Sequence, residues 1–132
     1  MRNPYEPVDL PLLNALFARA RETSPVQDPA QRWLLLEAAH VVGQTRLVPH
    51  ARVHGLMLAT AWQERSGSEW VGQAFRLALV PLGHLLGRLP LGNTGRSNVS
   101  AFEPMEVKPE IRALIDTLRP HDRAGTTTSA RS

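Results

Sequence analysis

Glu37, His40, His50 and His54 fall within one eighteen-residue stretch, EAAHVVGQTRLVPHARVH, which holds three of the five histidines in the chain. Imidazole and carboxylate together are the ligand types of Zn, Ni, Cu(II) and non-haem Fe. Glu37 and His40 are three apart and His50 and His54 are four apart, so each pair shares one face if its segment is helical. If two antiparallel helices fold about residue 47, His40 faces His54, Gln44 faces His50, and Glu37 lies one turn deeper, opposite Met57. The expected site is therefore mononuclear, with His40, His50 and His54 as metal ligands and Glu37 as a fourth ligand or an orienting carboxylate. No other acid stands between Glu37 and Glu64, which argues against a di-iron carboxylate centre. The alternative is that these histidines cap helix ends or bond one another and hold the turn, because spacing leaves helix rotation undetermined.

The elements that must position this stretch are all helical. Asp9 is an acceptable cap for a helix whose Leu10, Leu13, Leu16, Phe17 and Ala20 form a buried stripe. Asp28, with Pro29 at the first helical position and Gln31 three after the cap as in a capping box, starts a second helix that Gly43 should stop. Pro49 opens a third, running to about Arg65 with Val53, Met57, Leu58 and Ala61 inward. Ser66-Gly67-Ser68 separates it from a fourth, 69–86, which Pro81 should bend or divide. Residues 87–100, GRLPLGNTGRSNVS, read as an ordered Gly-rich covering loop anchored by Leu89, Leu91 and Val99. Pro109 starts a short last helix with Ile111, Leu114, Ile115 and Leu118 on one face. The expected fold is all-α: two antiparallel helical hairpins in a four-helix, repeat-like bundle, plus the loop and C-terminal helix. A single domain should cover residues 1–118, and the polar, aperiodic 119–132 should be a disordered tail.

Three further groups lie near the hairpin in this reading. Gln44, Gln73 and Arg76 are placed to support ligands, with Gln73 donating hydrogen bonds to the hairpin and Arg76 pairing with Glu37 or, more cheaply, Glu69. His84 sits near the Pro81 bend and reads as structural. The turn Gly92-Asn93-Thr94-Gly95 could aim backbone N–H groups at an anion, with Arg88 and Arg96 beside it. The Lys-Ser/Thr ending, the strand and the following helix of a P-loop are missing, so Arg88, Asn93, Thr94, Gly95 and Arg96 read first as a turn that ties the loop down.

At 132 residues the chain is long enough for one self-sufficient core. It has no Cys, which excludes disulfides, thiolate catalysis and sulfur-ligated zinc. The net charge is +3, and Lys108 is the single lysine. Between residues 38 and 102 six Arg stand against Glu64 and Glu69, without the basic blocks or aromatic platforms of a nucleic-acid binder. The N-terminus lacks the apolar core of a secretion signal, and the apolar run 77–91 is too short to cross a bilayer. A cytoplasmic protein is expected. No nucleophile stands with a base beside it, so nothing argues for an enzyme.

At Ala39-His40-Val41-Val42-Gly43-Gln44, His50-Ala51-Arg52-Val53-His54 with Met57-Leu58, Gly72-Gln73 with Arg76, and Gly87 to Gly95 with Asn98-Val99-Ser100, the chain resembles the bacterial domain-of-unknown-function family 3703. The resemblance covers roughly residues 10–115. It departs from the family pattern at Gly55, where a Trp commonly follows the second histidine of the pair. The family carries no named activity; the resemblance places relatives near metal-resistance functions.

Two readings follow. One is a binding site for a divalent transition metal such as Zn, Ni or Cu in the histidine hairpin. The other is a non-catalytic scaffold whose groove between hairpins takes a peptide or partner protein, with Trp62 and Trp70 as aromatic anchors or as a homodimer contact.

Overall fold

The computed structural model describes residues 7–87, 92–99 and 104–119. Five helices follow in order: α1 (Leu10–Glu22), α2 (Pro29–Gly43), α3 (Leu47–Gln63), α4 (Gly67–Leu86) and α5 (Pro109–Leu118). The described part is all-α. The expected tail from residue 120 on, together with Arg88, Leu89, Leu91 and Phe102, lies outside the described residues.

Two aspartates start the first hairpin. Asp9 Oδ1 accepts from Leu12 N at 3.0 Å and Asp28 Oδ1 from Gln31 N at 3.2 Å, each satisfying an orphan donor of a first turn. The Asp28 N–H, which a full capping box would give to Gln31, goes to Ser24 O instead. Gly43 ends α2 without a left-handed turn. Its value is space: a Cβ there would sit 3.2 Å from Pro49 Cβ and 3.3 Å from Leu13 Cδ1, so the bare backbone lets α1, α2 and the start of α3 close together.

The core lies between α1, α2, α3 and α5. Leu12, Leu13, Leu16, Phe17 and Ala20 of α1 pack with Leu35, Leu36 and Ala39 of α2, Val53 and Met57 of α3, and Ile111 and Ile115 of α5. Leu12, four residues before Leu16, joins the buried stripe, while Leu10 is half exposed. Arg32 fastens three elements from inside: its Nε donates to Thr60 Oγ1 at 2.9 Å and its Nη1 to Ala20 O at 2.8 Å and Thr23 O at 3.1 Å. A buried guanidinium is tolerable only when its donors are matched in this way.

The fourth helix is not divided. Pro81 lies within it, yet the helix is continuous from Gly67 to Leu86. Pro81 itself is exposed, so the carbonyl that its missing N–H leaves free lies on the wet side of the helix. Gly87, at φ 66°, ends α4, and Arg65, at φ 56°, ends α3. The helix α4 packs against α3 and against no other described helix, so it stands at the edge of the array.

Candidate metal centre

The second and third helices carry the three histidines inward. His40, on α2, is 1 % exposed, and His50 and His54, on α3, are 4 % and 2 % exposed. Their ring centroids are 4.9 Å (His40–His50), 4.9 Å (His40–His54) and 5.0 Å (His50–His54) apart. His40 Nε2 lies 3.1 Å from His50 Nε2, and His54 Nε2 lies 3.3 Å from the same atom. Among the described residues these three form the one group of His, Cys, Asp or Glu ligand atoms close enough to hold a single metal ion.

Each outer ring nitrogen has its own partner. His40 Nδ1 is 2.7 Å from the carbonyl oxygen of Asn93, which can only accept. The proton of that ring is therefore on Nδ1, and Nε2 presents a lone pair. His54 Nδ1 is 2.7 Å from Gln73 Oε1. The Gln73 amide nitrogen donates to Glu69 Oε1 at 2.9 Å and to Gly95 O at 2.8 Å, so its oxygen is the atom turned toward His54, and that ring too is protonated at Nδ1. His50 Nδ1 lies 3.0 Å from Nε2 of His84, which is half-buried at the end of α4.

Burial sets the electrostatics. It drives the imidazolium form of His40 far below the ordinary range, with the neighbouring His54 and His50 adding repulsion. Burial likewise lowers His50 to about 3, with help from His54 and His84, and His54 to about 4, against its hydrogen bond to Gln73 Oε1, which favours the charged form. Near neutral pH all three are neutral bases, the form that binds metals.

The loop closes the chamber. Gly95, at φ 79°, lies so near His40 that a Cβ would come within 2.7 Å of the ring. Gly72 gives the same passage on α4, where a Cβ would overlap Ser97 Cβ at 2.4 Å. Glu69 holds the loop: Ser97 N donates to its Oε1 at 3.1 Å, Ser97 Oγ to its Oε2, and Arg96 Nε to its Oε1 at 3.3 Å. Burial alone would raise the Glu69 pKa, but these hydrogen bonds together with that of Gln73 outweigh it and keep the carboxylate ionised.

The remaining expected site residues fall into place around this centre. Glu37 is not among the converging groups; its carboxylate lies 3.4 Å from Arg96 Nη1, and burial raises its pKa against that guanidinium. Arg96, stacked 3.8 Å over the Trp33 ring, thus takes both acids that were open to Arg76. Arg76 is buried and donates through Nη2 to Val99 O. Gln44, which caps the C-terminal end of the helix that carries His40, is buried. Two donors of the Gly-rich turn are engaged inside it: Gly95 N donates to Asn93 Oδ1 at 2.9 Å and Arg96 N to Thr94 Oγ1 at 3.3 Å, which ties the turn down. Arg88 lies outside the described residues.

Two participants escaped the sequence reading. The Asn93 carbonyl carries no side-chain signal, and His84 is 34 residues from His50. The only hint was that Gln73 and His84 share a helix face with Leu77. No described helix is long and apolar enough to cross a membrane.

Comparison with curated proteins and with solved structures gives no match. The family model for "Protein of unknown function (DUF3703)" matches residues 11–115, a span that runs from α1 to α5 and takes in the three histidines, Gln73, Glu69 and the covering loop. The chain belongs to this family.

Proposed function

We propose that the protein binds one divalent transition metal ion, such as Zn, Ni or Cu, through Nε2 of His40, His50 and His54. The observation that carries this reading is the orientation of the rings. His40 and His54 both have Nδ1 committed as a donor, so two lone pairs point at His50 Nε2 from 3.1 and 3.3 Å. One imidazole proton can satisfy only one of them well, whereas a cation satisfies all three nitrogens at once. In a tetrahedral site with bonds of about 2.0–2.1 Å, ligand nitrogens stand about 3.3 Å apart, close to the spacing found.

The outer contacts fit the same reading. Ligating histidines regularly give their other N–H to a carbonyl, carboxylate or amide oxygen, which fixes ring orientation. Here Asn93 O and Gln73 Oε1 serve His40 and His54, and the His84 ring serves His50. Three neutral ligands leave the ion its full charge and a fourth position. Glu69, through Gln73, is the nearest ionised balance for that charge. Glu37 serves the site indirectly, by anchoring the loop through Arg96.

The test is a titration of tag-free protein with Zn, Ni and Cu, following thermal stability and bound metal by elemental analysis. A ligand that binds the native state raises the melting temperature with its concentration. Stoichiometric binding that His50→Ala with His54→Ala abolishes is expected. Absence of bound metal and of any shift would leave the histidines as a hydrogen-bonded core cluster.

A further inference from the structure

Among the described residues none covers the outer face of α4. Val71, Phe75, Ala78, Leu82 and Leu85 are all exposed and follow one another at spacings of four, three, four and three. That is the 3.5-residue period of a helix seam that packs against a second helix. Phe75 is 55 % and Leu85 82 % exposed. The two charged residues of this twenty-residue helix, Glu69 and Arg76, are both buried toward the loop, so its solvent side is uncharged. At the N-terminal end the stripe runs into an open cavity of about 540 Å³ lined by Trp62, Arg65, Trp70 and Val71. Trp62 is 71 % exposed, and its ring centroid lies 6.1 Å from that of Trp70.

We infer that this face is the interface of a homodimer in which α4 packs on α4 of a second copy, forming a four-helix layer with the two α3 helices. Three considerations select a second copy. First, α4 is the edge helix of the array and α3 is its one neighbour among the described helices, so a second α4 supplies the missing helix of a bundle. Second, the seam is uncharged and regularly spaced, so it is complementary to itself, as a two-fold interface requires; a charged partner would find nothing to recognise. Within α4 itself it also lacks the exposed Lys and Arg that flank the apolar side of membrane-surface helices. Third, large side chains at these exposures offer roughly 700 Å² of apolar surface, above the usual largest patch of a monomer and near the ~800 Å² per partner of a specific interface. Ala78 stands at the middle of the seam, where a small side chain lets two helices approach closely.

The inference is independent of the metal reading. Sedimentation velocity and light scattering of the full chain over micromolar concentrations should give a dimer. Phe75→Glu with Leu82→Glu should give a monomer of unchanged helix content, with association weakened roughly 100-fold or more by unpaired like charges in an apolar seam. Leu85→Ala, which adds no charge, should weaken association about tenfold. Ala78→Cys, in a chain otherwise free of Cys, should cross-link to its own copy under mild oxidation. A wild-type monomer at 100 µM would overturn the inference, whatever it binds, vesicles included. A dimer untouched by both the charge and alanine variants would overturn it equally.

Discussion

His40 Nδ1 rests 2.7 Å from the carbonyl oxygen of Asn93, while Nε2 of the same ring lies 3.1 Å from His50 Nε2. One imidazole therefore joins the covering loop to the buried cluster, and its tautomer is dictated by a backbone atom. Because the loop supplies that atom, chamber and cover act as one unit.

Gly95→Ala tests this coupling. The position has φ 79°, and the new Cβ would lie 2.7 Å from the His40 ring. Backbone strain and overlap together should destabilise the fold by roughly 2–4 kcal/mol and weaken metal binding, as read by denaturant midpoint and by metal titration. Wild-type values for both would show that the loop is not seated on His40.

Gln73→Ala probes the orientation of His54. It removes the oxygen that accepts from His54 Nδ1 and the donor shared between Glu69 and Gly95. Loss of such an outer contact typically costs 10–100-fold in metal affinity, and that range is expected here. An unchanged affinity would mean that His54 is oriented by packing alone.

Arg96→Ala should loosen the loop without dismantling the core. Arg96 joins Glu37 and Glu69 and stacks on Trp33, but it is partly exposed, so the cost should be about 1 kcal/mol. Hydrogen exchange should quicken at residues 93–99 while α1 and α2 stay protected. Uniform loss of protection would contradict this division.

Acid should destabilise the metal-free fold. Folded His50 and His54 titrate at about 3 and about 4, against about 6.5 for an unfolded imidazole. Between these limits the unfolded chain binds more protons, so stability is complete above pH 6.5 and falls as pH drops toward 4. The loss by pH 4.5 should be about 2–3 kcal/mol per histidine. Denaturant midpoints that stay flat from pH 7 to 4.5 would show that the rings are not desolvated.

Much of this arrangement was legible in the residues. Asp9, Asp28 and Pro29 announce helix starts through local hydrogen-bond chemistry, and the 40/54 pairing follows from antiparallel register alone. Periodicity sets the level of Glu37 along the bundle but not which neighbour reaches it first; Arg96, 59 residues away, does. Pro81 leaves α4 undivided, and it sits on the exposed side of that helix. His84 and the Asn93 carbonyl lay beyond local reasoning because the contacts that bring them in are long-range.

X-ray absorption at the metal edge of zinc-loaded, tag-free protein tests the central claim most directly. The arrangement of His40, His50 and His54 calls for three imidazole nitrogens and one further light atom at about 2.0–2.1 Å, with the outer-shell scattering of rigid rings. His40→Ala should remove one imidazole from that shell. A six-oxygen shell, or an imidazole count indifferent to the loss of His40, would contradict it.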